Sequence, residues 1–275
     1  MADVVRFASM GTRVELHRFG AGADDALIAA QRAIEAVDDA LTIHRPSATT
    51  ALNERLMAGR GAAIDDTLLF DALVTIEELH ASTLGLFDPA ADRRFGTAGW
   101  RAIAFDRGAA RIEVSQPVAL DFGGFGKGFA LDRASALLRS AGVPSALLSA
   151  GESSIAVVGE HPLGGGWTFS LPHPLLPGRV LVELELSDEA LSISSTVGAG
   201  ADAPDRAPMI RPTDGAIVTG MRTAIAVDRS GANAEVMSTA LLVADDAQAA
   251  RLREERARRF LFDFTREEGD GPLAS

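Results

Sequence analysis

The stretch ALDFGGFGKGFALDRASALL, residues 119–138, places four glycines and a lysine between an apolar segment and a segment with helical periodicity. Glycines at this density let the backbone approach a ligand closely and direct N–H groups at an anion near a helix start. Lys127 adds a positive charge of the kind that binds phosphate. The stretch therefore indicates phosphate binding, and a tight strand-to-helix turn with a solvated lysine is the structural alternative.

Two familiar phosphate-binding templates do not match this stretch. Residues 123–128 read G-G-x-G-K-G, whereas a dinucleotide site needs G-x-G-x-x-G after a strand and a P-loop needs G-x-x-x-x-G-K-[ST]. We therefore expect neither a Rossmann fold nor a P-loop cradle.

The overall composition limits the kinds of partner. A net charge of -12 and a pI near 4.9 argue against a nucleic-acid-binding surface. An acidic protein that binds an anionic phosphate needs a local source of positive charge, either a metal ion or oriented backbone N–H groups. The chain has no cysteine, no secretory h-region and no apolar run long enough to span a bilayer. The expectation is a cytoplasmic protein without membrane insertion.

Hydrophobic periodicity and turn residues predict the elements. Strands are predicted at Val4–Ala8, Thr12–Phe19, Arg101–Phe105 and Arg111–Val114, and in SALLSAG, SSIAVVG, WTFSL, RVLVELEL, ALSISST and RTAIAVD. Helices are predicted at Asp24–Leu41, after an N-cap at Ser47, at Asp65–Thr83, at Lys127–Ser140 and in NAEVMSTALLVA. Residues 198–215 are predicted to form a loop over a site, and REERARRFLFDF a charged helix end followed by a last strand.

The order of these elements predicts the fold class. Helices predominate before Gly85 and strands after it, with a few helices interleaved. That order favours an α+β fold over a doubly wound sheet. Neither a linker nor a repeat interrupts the chain, so residues 1–275 are expected to form one domain.

Several segments, taken together, resemble one family. DFGGFGKGFALDRASALL followed by GVPSALLSAGES resembles the core signature of the ApbE family, the FAD:protein FMN transferases. MGT at Met10–Thr12, LTIHRPSATTALNERL, TLGLFDPA and NAEVMSTALLV resemble further motifs of that family, in the same order. The resemblance implies an ApbE-like fold of mixed and antiparallel sheets with packed helices, and an FAD cleft between two lobes.

The resemblance also implies a reaction. ApbE proteins transfer FMN from FAD to a threonine or serine hydroxyl of a target protein and release AMP, with a divalent metal, usually Mg²⁺, neutralising the pyrophosphate. The implied partners are FAD as donor, Mg²⁺, and an acceptor flavoprotein with a Thr/Ser target motif. This chemistry suits an acidic chain, because metal and backbone N–H groups supply the compensation.

The match to the family motifs assigns site residues. The flavin-binding residues would be Met10, His44, Ser47, Asp88, Gly124, Lys127, Ser153 and Ser195. The metal ligands would be the Ala150 carbonyl, Glu235 and Thr239, all of them hard oxygen donors of the kind that magnesium binds. Glu235 and Thr239 are i and i+4, so both face one side of a helix. Lys127 and Asp214 are the candidate catalytic residues.

Some positions depart from the family motifs. Glu235 replaces the metal-binding aspartate, and the segment AGES replaces a Gly-Gly-Asp turn, so that the aspartate of this turn is missing unless Glu152 substitutes for it. The segment SST replaces Thr-Ser-Gly. In PMIRPTDG the family's histidine and aspartate positions hold Pro208 and Arg211, which leaves Asp214 as the candidate general base.

These departures keep three functions open. The first is Mg²⁺-dependent FMN transfer from FAD to a protein hydroxyl. The second is an FAD-binding protein that has lost transfer activity. The third is an FAD pyrophosphatase, in which water replaces the protein hydroxyl. The products distinguish them, since transfer gives AMP and flavinylated protein, whereas hydrolysis gives AMP and free FMN.

Overall fold

The computed structural model describes residues 2–23, 25–197, 209–254 and 258–265. The strands are β1 (Ala2–Ser9), β2 (Thr12–Phe19), β3 (Ala62–Ala63), β4 (Ile103–Asp106), β5 (Arg111–Val114), β6 (Ser145–Ala150), β7 (Ser154–Val158), β8 (Trp167–Pro172), β9 (Val180–Leu186), β10 (Ala190–Ser195), β11 (Arg222–Asp228) and β12 (Arg259–Asp263). The α-helices are α1 (Ala26–Leu41), α2 (Ala48–Met57), α3 (Thr67–Ser82), α4 (Gly126–Ser140), α5 (Gly231–Val243) and α6 (Asp246–Glu254).

A seven-stranded antiparallel sheet forms the centre, in the order β1-β2-β6-β7-β10-β11-β12. Its first hairpin is closed by Met10 and Gly11, which both have positive φ angles, 54° and 69°. A left-handed backbone is uncommon for a residue with a side chain. Met10 is therefore held in a special conformation at the end of the β1–β2 hairpin.

The helices α1, α4 and α5 pack side by side and cover one face of this sheet. The buried residues of α1 recur at helical spacing and include Leu27, Ala30, Ile34 and Val37, so the predicted amphipathic helix is confirmed. The helix α5 lies against β10 and β11, while α4 lies against β6 and β7. The crossing of α4 and α5 therefore sits above the middle of the sheet.

The opposite face of the sheet is covered by the β8–β9 hairpin. Its buried side chains include Trp167, Leu184 and Leu186, which pack with Leu191 and Ile225 of the central strands. Because both faces of the sheet are covered, its central strands carry apolar residues on both sides, as buried strands do.

Asn53 of α2 fixes the approach to the glycine-rich turn. Its amide nitrogen donates to the Leu120 carbonyl at 2.8 Å, and its amide oxygen accepts from the Leu120 N–H at 2.8 Å. The backbone N–H and the carbonyl of the buried Leu120 thereby both have hydrogen-bond partners. The segment entering the turn is held in register with α2.

The fold class and most predicted elements are confirmed, with small changes at the ends. The helix predicted from Asp65 begins at Thr67, because Asp66 serves as its N-cap and accepts from the Leu69 N–H. The strand predicted from Arg101 begins at Ile103, after a 3₁₀ turn at Gly99–Ala102. Residues 24, 198–208 and 255–257, which belong to predicted elements, lie outside the described residues. That the chain forms a single domain remains a prediction.

A membrane-spanning segment would require a long and strongly apolar helix. No helix within the described ranges has both properties.

Candidate functional site

The glycine-rich turn leads into α4, whose first turn touches the first turn of α5. The contact is made by Gly128 and Gly231: a Cβ on Gly128 would lie 2.1 Å from the Gly231 carbonyl oxygen and 2.7 Å from the Ala232 nitrogen. Atoms at these separations overlap, and backbone atoms cannot move aside as a flexible side chain can. Glycine is therefore required for this helix crossing, because it alone lets two backbones approach so closely.

Each of the two crossing helices supplies an acid to the start of the other. The carboxylate of Asp132, in α4, accepts from the Gly231 N–H at 2.6 Å, the Ala232 N–H at 3.0 Å and the Ser230 hydroxyl at 2.8 Å. In return, Glu235 of α5 accepts from the Gly128 N–H at the start of α4. Carboxylates are stabilising at helix N-termini, where backbone N–H groups lack partners.

The second of these acids also forms an ion pair with the lysine of the glycine-rich turn. The Nζ atom of Lys127 donates to Oε1 of Glu235, while Oε2 accepts from the Gly128 N–H. The Glu235 side chain is 4% exposed and that of Lys127 is 23% exposed. A charge buried to this extent needs a partner. The ammonium is thus held against a buried carboxylate and remains partly exposed to solvent.

A cluster of hydroxyl groups lies beside this ion pair, between α5 and β10. Ser238 Oγ donates to the Glu235 carbonyl at 3.0 Å, so its lone pairs accept from Ser192 at 3.0 Å and Ser194 at 2.8 Å. Ser194 Oγ lies 3.5 Å from Thr239 Oγ1. Because a hydroxyl has one proton and two lone pairs, this arrangement leaves the lone pairs of Thr239 available to a ligand.

Gly124 completes the group on the side of the glycine-rich turn. A Cβ at this position would lie 3.0 Å from Thr239 Oγ1 and 3.2 Å from the Phe87 ring, so a larger residue would crowd both side chains. The fold therefore brings together four predicted site residues, Gly124, Lys127, Glu235 and Thr239. Lys127 and Thr239 are half-buried and Glu235 is buried.

Met10 adjoins the same turn from the β1–β2 hairpin. Its Cε atom would lie 3.2 Å from a Cβ on Gly126, and its N–H donates to Asp38 at 3.1 Å. Arg45, in the segment that follows α1, forms an ion pair with Asp38. These contacts place Met10 next to the start of α4.

His44 and Ser47 occupy the connection between α1 and α2. The His44 side chain is exposed. Ser47 is the predicted N-cap of α2: its hydroxyl accepts from the Thr50 N–H at 3.0 Å and donates to the Thr42 carbonyl at 2.6 Å. This capping role is confirmed. Because its hydroxyl is already paired on both sides, the assignment of Ser47 to flavin binding remains a prediction.

Asp88 is engaged within its own loop. Its carboxylate accepts from the Ala90 N–H at 2.8 Å and the Trp100 N–H at 2.9 Å, and it lies 3.8 Å from His80 Nε2. Burial raises the pKa of Asp88, while the same loss of water lowers the pKa of His80. Asp88 thus closes the loop that follows Phe87, and direct contact of its carboxylate with flavin remains a prediction.

The lowered pKa of His80 gives a pH-dependent stability. A folded-state pKa below the unfolded value of 6.5 contributes stability that is present above pH 6.5 and is lost as the pH falls through the folded pKa. We expect the free energy of unfolding to decrease as the pH falls below about 6.5, and to decrease less in His80→Gln. Urea titrations between pH 5 and 7.5 measure this difference.

Asp88 is present in both proteins, and because its carboxylate lies 3.8 Å from His80 Nε2, the comparison reports the titration of this coupled pair. The exposed His44 provides the matched control for replacing a histidine by glutamine, and His44→Gln should leave the free energy of unfolding near that of wild type at pH 7.5. Parallel profiles for wild type and His80→Gln would show that burial of this imidazole does not affect stability.

Ala150 and Ser153 lie at the β6–β7 turn. In the sheet, Ala150 pairs with Ser154, which pairs with Ser192 of the hydroxyl cluster. Ser154 Oγ is buried, and no hydrogen-bond partner for it is found within the described ranges. Ala150 is therefore separated from Ser192 by one strand, and its carbonyl as a metal ligand remains a prediction. Ser153 is half-buried, and its carbonyl accepts from the Ile193 N–H at 2.8 Å.

Two other predicted groups have hydrogen-bond or ion-pair partners outside the Lys127–Glu235 pair. The Glu152 side chain is 84% exposed and pairs with Arg13. Ser195 follows Ser194 in β10, and since side chains alternate along a strand, it lies on the opposite sheet face, bonded to Thr223 at 2.9 Å. Within β10, Ser194 rather than Ser195 meets α5. Flavin binding by Ser195 remains a prediction.

Asp214 lies on an exposed turn near the end of α5. It accepts from the Ala216 N–H at 3.0 Å and pairs with Arg211 at 3.1 Å, and Arg211 also donates to the Val243 carbonyl. The Ala216 N–H and the Arg211 charge lower the pKa of Asp214, which makes it a weak base at neutral pH. Its catalytic role remains a prediction. Pro208, at the family's histidine position, lies outside the described residues.

The glycine-rich turn, the α4–α5 crossing and β10 all lie inside one stretch of family similarity. The profile of the ApbE family matches residues 90–262, more than half of the chain. The chain belongs to the ApbE family. The segments MGT at Met10–Thr12 and LTIHRPSATTALNERL, which also resemble motifs of the family, lie before residue 90. The family match therefore does not include them.

Curated and solved relatives agree with this family. An FAD:protein FMN transferase of Rhodobacter capsulatus is 26% identical over 246 residues, which cover 80% of this chain and 46% of that protein. The chain thus spans about half the length of that curated relative. ApbE structures from Thermotoga maritima and Pseudomonas stutzeri superpose with TM-scores of 0.81 and 0.78, each at 18% identity over 96% of this chain and 94% of theirs. These structures establish the ApbE fold.

The donor atoms at the crossing suit a hard cation. Carboxylate and hydroxyl oxygens are the ligands that magnesium prefers, and Glu235 and Thr239 present both from one face of α5. Within the described parts of the chain, no group of three or more His, Cys, Asp or Glu residues could hold a metal. An ion here would therefore need hydroxyl, carbonyl or phosphate oxygens as well, and it would compete with the Lys127 ammonium for Glu235.

The sequence analysis does not predict three features of this site. They are the Gly128–Gly231 contact, the acceptance of α5 N–H groups by Asp132, and the hydroxyls of Ser192, Ser194 and Ser238. A signal existed for the serines, because Ser192 and Ser194 alternate along a predicted strand and must share one face. The glycine contact joins distant segments, and local sequence does not reveal it.

Proposed function

We propose that this protein is an Mg²⁺-dependent FAD:protein FMN transferase, which moves FMN from FAD to a threonine or serine hydroxyl of an acceptor flavoprotein. The observation that carries the proposal is the convergence of the glycine-rich turn, Lys127, Glu235 and Thr239 in a chain of the ApbE family. The curated relative is named for this reaction. The location in the cytoplasm remains part of the proposal.

The flavin pyrophosphate would lie against the start of α4. Lys127 supplies a positive charge there, and Thr239, which is also half-buried, has lone pairs that the serine hydroxyls do not use. Met10 adjoins Gly126 and borders the space next to the turn. The remaining flavin contacts are proposed at His44, Ser47, Asp88, Ser153 and Ser195, from the family motifs. Because the chain is acidic, this single lysine provides the local charge that a phosphate requires.

The transfer would form one bond and break another at the same phosphorus atom. The acceptor hydroxyl oxygen bonds to the phosphorus of the FMN half, and the bond from that phosphorus to the bridging oxygen breaks. AMP leaves with the bridging oxygen and its electron pair. The acceptor proton passes to a base or to solvent, and Asp214 is the proposed base despite its lowered pKa. Catalysis then rests mainly on positioning and charge stabilisation.

Magnesium would be held by Glu235, Thr239 and the Ala150 carbonyl, together with pyrophosphate oxygens. When bound, it neutralises charge that develops on the leaving phosphate. Two contacts support this assignment: Glu235 accepts from the Gly128 N–H, and Thr239 lies 3.5 Å from Ser194 of the hydroxyl cluster. Because both residues project from one helix, the spacing between their oxygen atoms is set by α5.

One incubation tests the proposal. Purified protein is mixed with FAD, Mg²⁺ and a candidate acceptor domain that carries a Thr/Ser target site, and the products are analysed by intact mass and nucleotide chromatography. We expect AMP release and an acceptor mass increase that equals one FMN group less water. An acceptor with its target hydroxyl removed is the matched control and should gain no mass.

The products also separate the alternatives. AMP together with free FMN would identify a pyrophosphatase in place of a transferase. FAD binding without AMP would identify a binding protein. Either result, obtained with several acceptor domains, would overturn the proposed transfer.

A further inference from the structure

Lys127 is the only lysine in the sequence, in which Lys and Arg together number 26. Arginine presents a rigid planar fork, whereas lysine places a compact charge on a flexible stem with three donors. A lysine can therefore change its partner by rotating its side chain. Its neighbour Glu235 is fixed differently, because its second oxygen accepts from the Gly128 backbone.

The Lys127 ammonium is bonded to Oε1 of Glu235, the oxygen that does not accept from the Gly128 backbone. Magnesium binds a carboxylate oxygen at about 2.0–2.1 Å and requires near-octahedral geometry. An ammonium donating to Oε1 repels a second cation at the same oxygen, and the other oxygen already accepts from backbone. With Glu235 only 3% exposed, the carboxylate has little surface to offer from another direction.

We propose that Lys127 closes the cation site in the flavin-free protein and that a pyrophosphate opens it by drawing the ammonium away from Glu235. This inference rests on the proposed function, because the pyrophosphate is that of the flavin donor. The cation and the flavin then bind as coupled ligands, and each raises the affinity for the other by the same factor. The free protein does not bind the cation tightly by itself.

The test measures Mn²⁺ binding in the absence of flavin. Free Mn²⁺ is followed by electron paramagnetic resonance in titrations of wild type, Lys127→Met and Lys127→Gln. Both substitutions remove the competing charge and leave the Glu235 carboxylate in place, and they differ in whether an apolar or a polar side chain remains beside it. We expect both variants to bind Mn²⁺ at least about tenfold more tightly than wild type, within the usual range of coupling between sites.

Two further measurements make each outcome decisive. Circular dichroism shows whether both variants are folded, and either folded variant suffices for the comparison. Arg139→Met, which removes a cation from an exposed ion pair with Asp188 on the same helix, should leave Mn²⁺ affinity unchanged. Wild type that binds Mn²⁺ as tightly as the folded variants would overturn the inference. So would variants that bind it as weakly as wild type.

Flavin binding separates this inference from the function on which it rests. FAD fluorescence is titrated with wild-type protein, with and without Mn²⁺. If FAD binds but the variants show no gain in Mn²⁺ affinity, the proposed function stands and the closing role of Lys127 is wrong. If FAD does not bind under either condition, the proposed function itself is wrong.

Discussion

Gly128→Ala is expected to lower the free energy of unfolding by at least about 3 kcal/mol, the upper part of the range for overpacked sites. The added Cβ would lie 2.1 Å from the Gly231 carbonyl oxygen and 2.3 Å from its carbon. Both atoms belong to the backbone of α5, so relief requires the helices to move apart. That movement would also stretch the hydrogen bonds that join Asp132 and Glu235 to the opposite helix.

Chemical denaturation monitored by circular dichroism measures this loss. Gly126→Ala, two residues earlier in the same helix, is the matched control, because its Cβ meets only the flexible end of Met10 at 3.2 Å. We expect that variant to stay within about 1 kcal/mol of wild type, since alanine also favours the helix. Equal stability of the two alanine variants would show that the helix crossing tolerates a side chain.

Glu235→Gln is expected to reduce FAD-dependent AMP release on the order of 100-fold or more, the cost usually found when one charge-stabilising group is removed. Glutamine keeps the size and can still accept from the Gly128 N–H, but it has no charge for a cation. The Lys127 ion pair is lost as well. Because Lys127 is partly exposed, we expect a stability loss of about 1–3 kcal/mol, below that of a fully buried pair.

Turnover is measured by nucleotide chromatography at saturating Mg²⁺, with unfolding measured in parallel. Glu113→Gln is the control: Glu113 is 56% exposed and pairs only with Arg111 among the described ion pairs, so both activity and stability should stay near wild type. Wild-type AMP release by Glu235→Gln would mean that Glu235 is not a metal ligand.

Local sequence predicts much of the fold because its signals act over short distances. The N-cap at Ser47, the helical face of α1 and the termination of α4 near Gly142, where φ is 72°, all follow from propensity and backbone freedom. The helix start at Thr67 differs by two residues from the prediction, since either acid of the Asp65–Asp66 pair could have capped it.

The site is less predictable, because its contacts join distant segments. The motifs indicated Lys127, Glu235 and Thr239 separately, and the structure adds that the first two form an ion pair. No short-range pattern implies that pairing. Ser195 shows a similar limit: the sequence places serines at three positions of one strand, and only the packing of α5 shows that Ser192 and Ser194 face it.

The reciprocal contacts between α4 and α5 also bear on the order of folding. Lys127 and Glu235 are separated by 108 residues, and Asp132 and Gly231 by 99. Contacts of such sequence separation form slowly, because a long loop must close before they contribute. The ion pair between Lys127 and Glu235 therefore forms only when the two ends of this long loop have come together. A chain truncated before α5 therefore keeps the glycine-rich turn but lacks Glu235 and Thr239, the residues of α5 that lie beside it.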